Sequence, residues 1–168
     1  LRRLDGAHEH HLAGCSFACV GLGVARAAIE ALVELASAKV PRSSSELLRE
    51  RAAAQARIAE ADAVLRSGRA FLFDVVREMW DAVLAGQPVT ERHRSDVRLA
   101  MTHAAQCAAR ATHMVCVCAG TTSIFASSPL ERFARDAEVV TRHNQLQFVN
   151  YEAAGRTLMG LESNSPLF

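Results

Sequence analysis

The residues around His143 have types suited to acid–base chemistry. His143 precedes Asn144 and Gln145, in a polar stretch where a helix is predicted to end. An imidazole has an ordinary pKa of about 6.5, so a histidine in such a junction can donate or accept a proton near neutral pH. A histidine at a helix end can equally form hydrogen bonds to the terminal carbonyl groups. From the residues alone, both roles stay open.

Two further groups contain metal-ligating residue types. The run from His8 to His11 lacks two ligands four residues apart on one helix face, and we interpret it as a solvated helix start. A second set recurs on one helix face with no facing cluster, so packing is predicted for it: His103, Cys107, Arg110 and Met114. The five cysteines form no CxxC pair, which favours reduced thiols and no metal site.

Helices must position these residues along most of the chain. Alanine-rich patterns with a period of about 3.6 residues dominate, and alternating strand patterns are almost absent. The sequence predicts an all-α, antiparallel up-down four-helix bundle with a shorter last helix. The predicted helices run from His8 to Lys39, from Ser43 to about Ala85, from Thr90 to Gly120, from Ser128 to about Arg142, and from Val149 to Leu161.

Local signals set the predicted helix boundaries. The segment Ser43–Glu46 has the pattern of a capping box, and Thr90 is a plausible N-cap. Ser128–Glu131 combines a serine cap, a proline at the first helical position and a glutamate at the third. Residues 86–88, Gly-Gln-Pro, end the second helix, and residues 120–127 form an internal loop.

Composition excludes several classes of protein. The chain has 168 residues, one domain by size, and its 50% hydrophobic content excludes a disordered chain. Its 19 basic and 18 acidic residues give a formal net charge of +1, which argues against binding nucleic acid through phosphates. The apolar run Cys15–Ala28 is too short to span a membrane and is interrupted by Arg26. Reduced cysteines favour a cytoplasmic protein. The missing initial Met suggests a piece of a longer chain.

Several segments together resemble a known family. They are Val20–Ala28; Ala119-Gly120-Thr121; Ser127–Arg132 followed by Arg135-Asp136-Ala137 and His143; and Tyr151-Glu152, Gly155-Arg156 and Met159-Gly160. In this arrangement, which covers essentially the whole chain, the sequence resembles the C-terminal domain of the acyl-CoA dehydrogenase superfamily. It is most similar to the second type of that domain, found in two-component flavin-dependent monooxygenases.

The resemblance implies a larger assembly around a flavin, either FAD or FMN. Residues 1–168 would form the C-terminal bundle, and an N-terminal helical domain and a middle β domain would be missing. In the superfamily the flavin lies between the middle domain and this bundle, and a neighbouring subunit's bundle contacts its pyrophosphate. The resemblance therefore implies a homotetramer that binds a flavin and a small-molecule substrate, with reduced flavin supplied by a separate reductase.

The resemblance also implies individual site residues. Gly120 and Thr121 match a flavin-contacting Gly-Gly pair whose second glycine is replaced by Thr121. Lys39 occupies the place of a basic residue that reaches a phosphate, although the aromatic residue that normally follows is absent. Val117 stands where the family has a glutamine, which removes one expected amide contact.

The position of the catalytic group distinguishes the subfamilies. Many acyl-CoA dehydrogenases have their proton-abstracting glutamate at the place of Asn144, and an amide cannot abstract a proton. In the monooxygenases a histidine at the place of His143 assists oxygen activation or substrate deprotonation. The resemblance thus implies that His143 is catalytic and that Asn144 contacts substrate. Two alternatives remain: a dehydrogenase whose base lies on the first bundle helix, and a non-catalytic helical oligomerisation module.

Overall fold

The computed structural model describes residues 6–42 and 44–163, with side chains from residue 14 onward, and within these ranges it is helical without strands. The prediction of an all-α fold is confirmed. A short 3₁₀ helix, Leu48–Glu50, precedes α2, and a second one, Gly120–Ile124, follows α3. The α-helices are α1 Gly6–Ala38, α2 Ala52–Leu84, α3 Glu91–Ala119, α4 Pro129–Thr141 and α5 Asn150–Leu158.

Contacts between the helices establish their directions. Lys39 meets Leu48 at one end of the α1–α2 pair, and Arg26 reaches Asp62 further back along α1, so α1 and α2 are antiparallel. Lys39 also reaches Ala119 at the end of α3, which therefore runs parallel to α1. The thiol of Cys116 approaches Leu130 at the start of α4, and α4 runs back along α3. The first four α-helices thus form the predicted up-down arrangement.

The third helix is the centre of the core. It packs against all four other α-helices, and its buried side chains are mostly small. Small side chains allow helix backbones to approach closely, and burial of this apolar surface supplies most of the stability of the bundle. The fully buried alanines of α3 are Ala100, Ala104, Ala105, Ala108, Ala111 and Ala119.

Gly68 marks the closest approach between α2 and α3. A Cβ built on Gly68 would lie 2.8 Å from Cβ of Cys107 and 3.3 Å from the backbone Cα of Ala104. Contacts this short require one helix to move. The glycine is therefore needed for the packing distance between the two helices, and its low helix propensity is outweighed by that packing.

Two predicted helix starts are confirmed. The Oγ1 atom of Thr90 accepts a hydrogen bond from the N–H of His93 at 3.2 Å, and Nδ1 of His93 accepts from the N–H of Thr90 at 3.2 Å. The Oγ atom of Ser128 accepts from the N–H of Leu130 at 3.3 Å, with Pro129 at the first helical position. Both side chains satisfy N–H groups that have no partner within the helix.

The predicted start of α2 is wrong. Ser43 lies outside the described residues, and α2 begins at Ala52. The intervening chain is held in another way: the N–H of Leu48 donates to the carbonyl of Lys39 at 2.8 Å, and the Leu48 side chain is buried. Anchoring Leu48 in the core and to the end of α1 places a 3₁₀ turn where the sequence favoured an α-helix.

α2 and α5 each end just before a glycine with a positive φ angle. Gly86 and Gly160 have φ angles of +70° and +74°, and both close Schellman motifs in which the next residue donates back to the helix. α5 therefore ends at Leu158, three residues before the predicted end, and it begins at Asn150. The predicted internal loop at residues 120–127 contains a 3₁₀ turn over Gly120–Ile124.

One helix is long and apolar enough to cross a membrane. By length and composition alone, the segment Gly14–Ala38 of α1 passes this test, with a mean hydropathy of 1.6. The run Cys15–Ala28, judged from the sequence too short to span a membrane, is only part of this longer segment. About 39% of the window is buried inside the protein, where Ala18, Ala25 and Leu32 belong to the core. A core helix of this kind has the same composition as a membrane span.

Candidate functional site

His143 lies just beyond α4 and packs against α1. Its ring is 4.1 Å from the ring of Phe17, centroid to centroid, with the two planes inclined by 33°. The side chain is half-buried, and the backbone N–H of His143 donates to the carbonyl of Val140 at 3.3 Å. The ring is therefore held at the helix end, as the sequence predicted, and Phe17 fixes its orientation.

A backbone hydrogen bond determines the tautomer of His143. The N–H of Gln145 donates to Nδ1 of His143 at 3.4 Å. A nitrogen that accepts a hydrogen bond carries no proton, so the neutral ring holds its proton on Nε2. In this form Nε2 is a hydrogen-bond donor. The geometry suits proton donation, or stabilisation of a developing negative charge, at Nε2.

The two residues after His143 lie in different environments. Asn144 is exposed, in agreement with a residue that could meet a substrate, whereas Gln145 is 7% exposed. The buried Oε1 atom of Gln145 accepts no hydrogen bond from the described part of the chain. Sequence reasoning overlooked Gln145, whose polar neighbours gave no sign that it would be buried.

Lys39 follows α1, and its ammonium group joins the ends of two helices. Nζ donates to the carbonyl oxygen of Ala119 at 2.6 Å and to Oγ1 of Thr122 at 2.6 Å. An ammonium group has three donors, so these two bonds leave one donor for a further acceptor. Sequence reasoning singled out Lys39 and missed Thr122, since contacts across eighty residues leave no local pattern.

Gly120 adopts a backbone conformation that favours glycine. Its φ and ψ angles are +63° and −147°, a region that is essentially closed to residues with a Cβ. A Cβ built there would meet no heavy atom within 4 Å, so the backbone borders open space. Thr121 beside it is exposed. An open glycine backbone next to the charge of Lys39 fits the phosphate contact predicted for a flavin.

The predicted site residues form two separate groups. Lys39, Gly120 and Thr121 lie together at one end of the bundle, whereas His143 lies against Phe17 near the start of α1. A helix rises about 1.5 Å per residue, so the interval from residue 17 to residue 39 spans roughly 33 Å. Within one copy of the chain, His143 therefore does not approach the group around Lys39.

A series of hydrogen bonds between three side chains links α3 to α5. Sγ of Cys107 lies 3.3 Å from Nε2 of His103, and Nδ1 of His103 lies 3.3 Å from the Oη atom of Tyr151. Burial raises the pKa values of Cys107 and Tyr151, which keeps both groups protonated near neutral pH. The predicted packing role is confirmed for the buried Cys107 and Met114, whereas it is wrong for the exposed Arg110. The contact of Tyr151 with His103 was not predicted from the sequence.

The structure offers no metal site among its described side chains. No group of three or more His, Cys, Asp or Glu residues is close enough there to hold an ion, and the five cysteines are free thiols. The side chains of His8–His11 lie outside the described part, so the prediction made for them stays untested.

Comparison with known proteins relates both fold and sequence to one family. A family model described as acyl-CoA dehydrogenase, C-terminal domain, matches residues 15–148. The indole-3-acetate monooxygenase of Pseudomonas putida is 40% identical over 141 residues, which cover 84% of this chain. That alignment covers 36% of the relative, so the chain spans little more than a third of its length.

Solved structures share the helical arrangement. The 3-HSA hydroxylase of Rhodococcus sp. RHA1 superposes with a TM-score of 0.83 at 23% identity, over 94% of this chain and 40% of that protein. XiaF of a Streptomyces species, solved with FADH2 and glycerol, superposes with a TM-score of 0.85 at 21% identity, over 91% of this chain and 39% of that protein. At these identities the likeness establishes the fold. The family match over most of the sequence, together with the all-helical bundle, shows that this chain belongs to the acyl-CoA dehydrogenase C-terminal domain family.

Proposed function

We propose that this chain is the C-terminal helical domain of a flavin-dependent monooxygenase. The observation that carries the proposal is the pairing of His143, with its proton held on Nε2, and Asn144 in place of a carboxylate. The 40% identity to an indole-3-acetate monooxygenase supports the same reaction class. By that identity, the substrate is a small aromatic acid such as indole-3-acetate.

The group around Lys39 would hold the phosphates of the flavin. The remaining donor of the Lys39 ammonium is suited to a pyrophosphate oxygen, because charge-assisted hydrogen bonds to phosphate are strong. Gly120 would contribute space, since no Cβ blocks its open side and its N–H already donates to carbonyl groups of α3. Thr121 would lie at the rim of this contact. FADH2 in the similar fold of XiaF supports FAD over FMN. When bound, reduced flavin supplies the electrons that activate dioxygen.

His143 would act on the reacting groups as a hydrogen-bond donor. Nε2 carries the proton in the neutral ring, so it can stabilise negative charge that develops on an oxygen atom. Phe17 excludes water from one face of the ring and limits its rotation. Asn144 would orient the substrate by hydrogen bonding through its exposed amide.

The distance between the two groups determines how one active centre could use both. Because roughly 33 Å of α1 separates them, a centre that uses both groups needs a second copy of the chain. A homotetramer, as the family resemblance implies, would place the Lys39 end of one bundle near the flavin of a neighbour. Reduced thiols fit a cytoplasmic protein, and a separate reductase would deliver the flavin.

The test uses the longer polypeptide that contains this chain, supplied with chemically reduced FAD. Oxygen-dependent hydroxylation of indole-3-acetate, followed by mass spectrometry with ¹⁸O₂, would show label in the product. Under anaerobic conditions the same protein is offered a set of acyl-CoA thioesters and an artificial electron acceptor. Thioester oxidation without incorporation of label would identify a dehydrogenase. Failure to bind any flavin would instead support an oligomerisation module.

A further inference from the structure

A cleft between α1 and α2 lies outside the proposed flavin and His143 regions. It has a volume of about 300 Å³, and its apolar lining includes Leu22, Leu65 and Phe73. Cys19 also borders it, two residues from Phe17, and two residues correspond to roughly 200° around a helix. The cleft and His143 therefore lie on different sides of α1.

Three guanidinium groups border this α1–α2 cleft. They belong to Arg26, Arg66 and Arg69, and no carboxylate is among the described side chains that line it. Asp62 nearby pairs with Arg26 at 2.8 Å and with Arg66 at 3.7 Å, so a single carboxylate is shared by two of the three guanidinium groups. The guanidinium of Arg69 lies 4.3 Å from the ring centroid of Phe73. The excess positive charge at this end favours an anionic ligand.

The other end of the cleft is apolar. A second cavity of about 170 Å³ shares Cys19 and Phe73 with the first one and continues between Cys15, Leu72 and Val76. From Arg26 back to Cys15 the helix spans roughly 16 Å. The combined cleft is thus elongated, with cationic groups at one end and apolar side chains at the other.

A glycine keeps the cleft open. Gly23 lines it on α1, and a Cβ built on Gly23 would meet no heavy atom within 4 Å. The residue has no positive φ and no packing contact that requires glycine, although glycine weakens a helix interior. A side chain at this position would project into the space of the cleft.

We propose that the α1–α2 cleft binds an amphiphilic carboxylate, with its head group among Arg26, Arg66 and Arg69 and its alkyl tail along Phe73 and Cys19. Bidentate hydrogen bonds from guanidinium to carboxylate provide the polar recognition. Burial of the tail provides affinity that increases with chain length. The site is separate from the proposed oxygenation chemistry, so the proposal does not depend on it.

Isothermal titration of the protein with hexanoate, octanoate and decanoate, below their aggregation limits, tests this directly. Affinity should increase about threefold to fourfold per added methylene. Decanol has the tail without the charge and acetate the charge without the tail, and both should bind at least tenfold more weakly than decanoate. Equal binding of decanol and decanoate would overturn the proposal, as would no binding of any carboxylate.

Variants distinguish the cleft from general adsorption to apolar surface. Arg66→Gln and Arg69→Gln should each weaken decanoate binding about tenfold, the size expected for a lost charge-assisted hydrogen bond. Arg77→Gln is the matched control, because Arg77 is an exposed arginine on the same helix outside the cleft. Gly23→Leu should abolish binding while the thermal unfolding temperature stays at least as high. Unchanged binding in Gly23→Leu would overturn the location.

The reactivity of Cys19 gives an independent measurement. Of the five cysteines, all in the described part of the chain, Cys19 alone is exposed. Saturating decanoate should slow its alkylation by iodoacetamide at least fivefold, measured by peptide mass spectrometry, and acetate should not. Equal alkylation rates with and without decanoate would contradict occupancy of the cleft.

Discussion

At the scale of single residues, the contacts of His143 define one hydrogen-bond donor. His143 follows α4, where its ring packs against Phe17 and its Nδ1 atom accepts the N–H of Gln145. The stacking on Phe17 and the bond from Gln145 were not predictable, because both depend on how α4 and the following turn pack against α1. Residue type and helix periodicity were therefore sufficient to predict the position of His143 at a helix end, but not which ring nitrogen carries the proton.

The tautomer leads to a prediction for the longer enzyme. His143→Ala should lower the oxygenation rate about 10²- to 10⁴-fold, the usual contribution of a positioned acid or base. Flavin affinity should change little, since the phosphate contacts lie at the Lys39 end. Stopped-flow kinetics and flavin titration measure the two effects. His143→Asn keeps a hydrogen-bond donor at this position, so it should retain more activity than His143→Ala. Wild-type rates in both variants would contradict the assignment.

A second prediction concerns the buried thiol of Cys15. Burial raises its pKa to about 11, with a further increase from Cys19 and a smaller opposing effect of Arg98. The neutral thiol is favoured in the folded state, so this stabilisation is complete below pH 9 and is lost as the pH rises towards 11. Between these values the free energy of unfolding of the wild type should fall faster than that of Cys15→Ala, in urea titrations at several pH values. Parallel curves would contradict this.

At the scale of elements, caps and one glycine stop were predictable and the start of α2 was not. Thr90, Ser128 and Gly86 act through neighbours within a few residues, so the sequence contains the whole signal. The stop at Gly160 was missed, because the predicted last helix ran on to Leu161. The start of α2 depends on Leu48, which bonds to Lys39 and enters the core. A local capping pattern at Ser43–Glu46 cannot reveal such a tertiary contact.

The close approach of α2 and α3 leads to a third prediction. Gly68→Ala should lower the free energy of unfolding by about 1–3 kcal/mol, because the new Cβ overlaps Cys107 and the backbone of Ala104. Gly155→Ala in α5 is the matched control, since a Cβ there meets nothing within 4 Å. That change should raise stability by about 0.5–1 kcal/mol through helix propensity. Chemical denaturation measures both, and a gain of stability in Gly68→Ala would disprove the steric argument.

At the scale of the whole molecule, the bundle was predictable because its helices have a clear apolar period and short links. The separation of Lys39 from His143 is implied by the same up-down arrangement, because the end of the fourth helix lies beside the start of the first. Large apolar side chains remain exposed, among them Trp80 at 54% and Leu84 at 70% on α2, and Phe148 at 73% in the turn before α5. Extensive exposed apolar surface is typical of an interface.

The exposed surface gives a fourth prediction. The protein should self-associate, with sedimentation velocity showing species larger than 18.2 kDa whose fraction increases with concentration. Burial of apolar area drives such association, so 1 M urea should shift it towards the monomer before the helices unfold. A single monomeric species at all concentrations up to hundreds of micromolar would contradict it.

The contact of Lys39 with Ala119 and Thr122 has one more consequence, because Lys39 is the sole lysine in the sequence. A lysine-specific endoprotease can therefore cut the chain at one peptide bond only. The Lys39 ammonium group is held between two acceptors, so cleavage should require the contact between the ends of α1 and α3 to open. The rate of that single cut, compared with the rate in denaturant, reports the local opening free energy of one corner of the bundle. The chain thus contains a built-in reporter for whether a bound phosphate compound closes that corner.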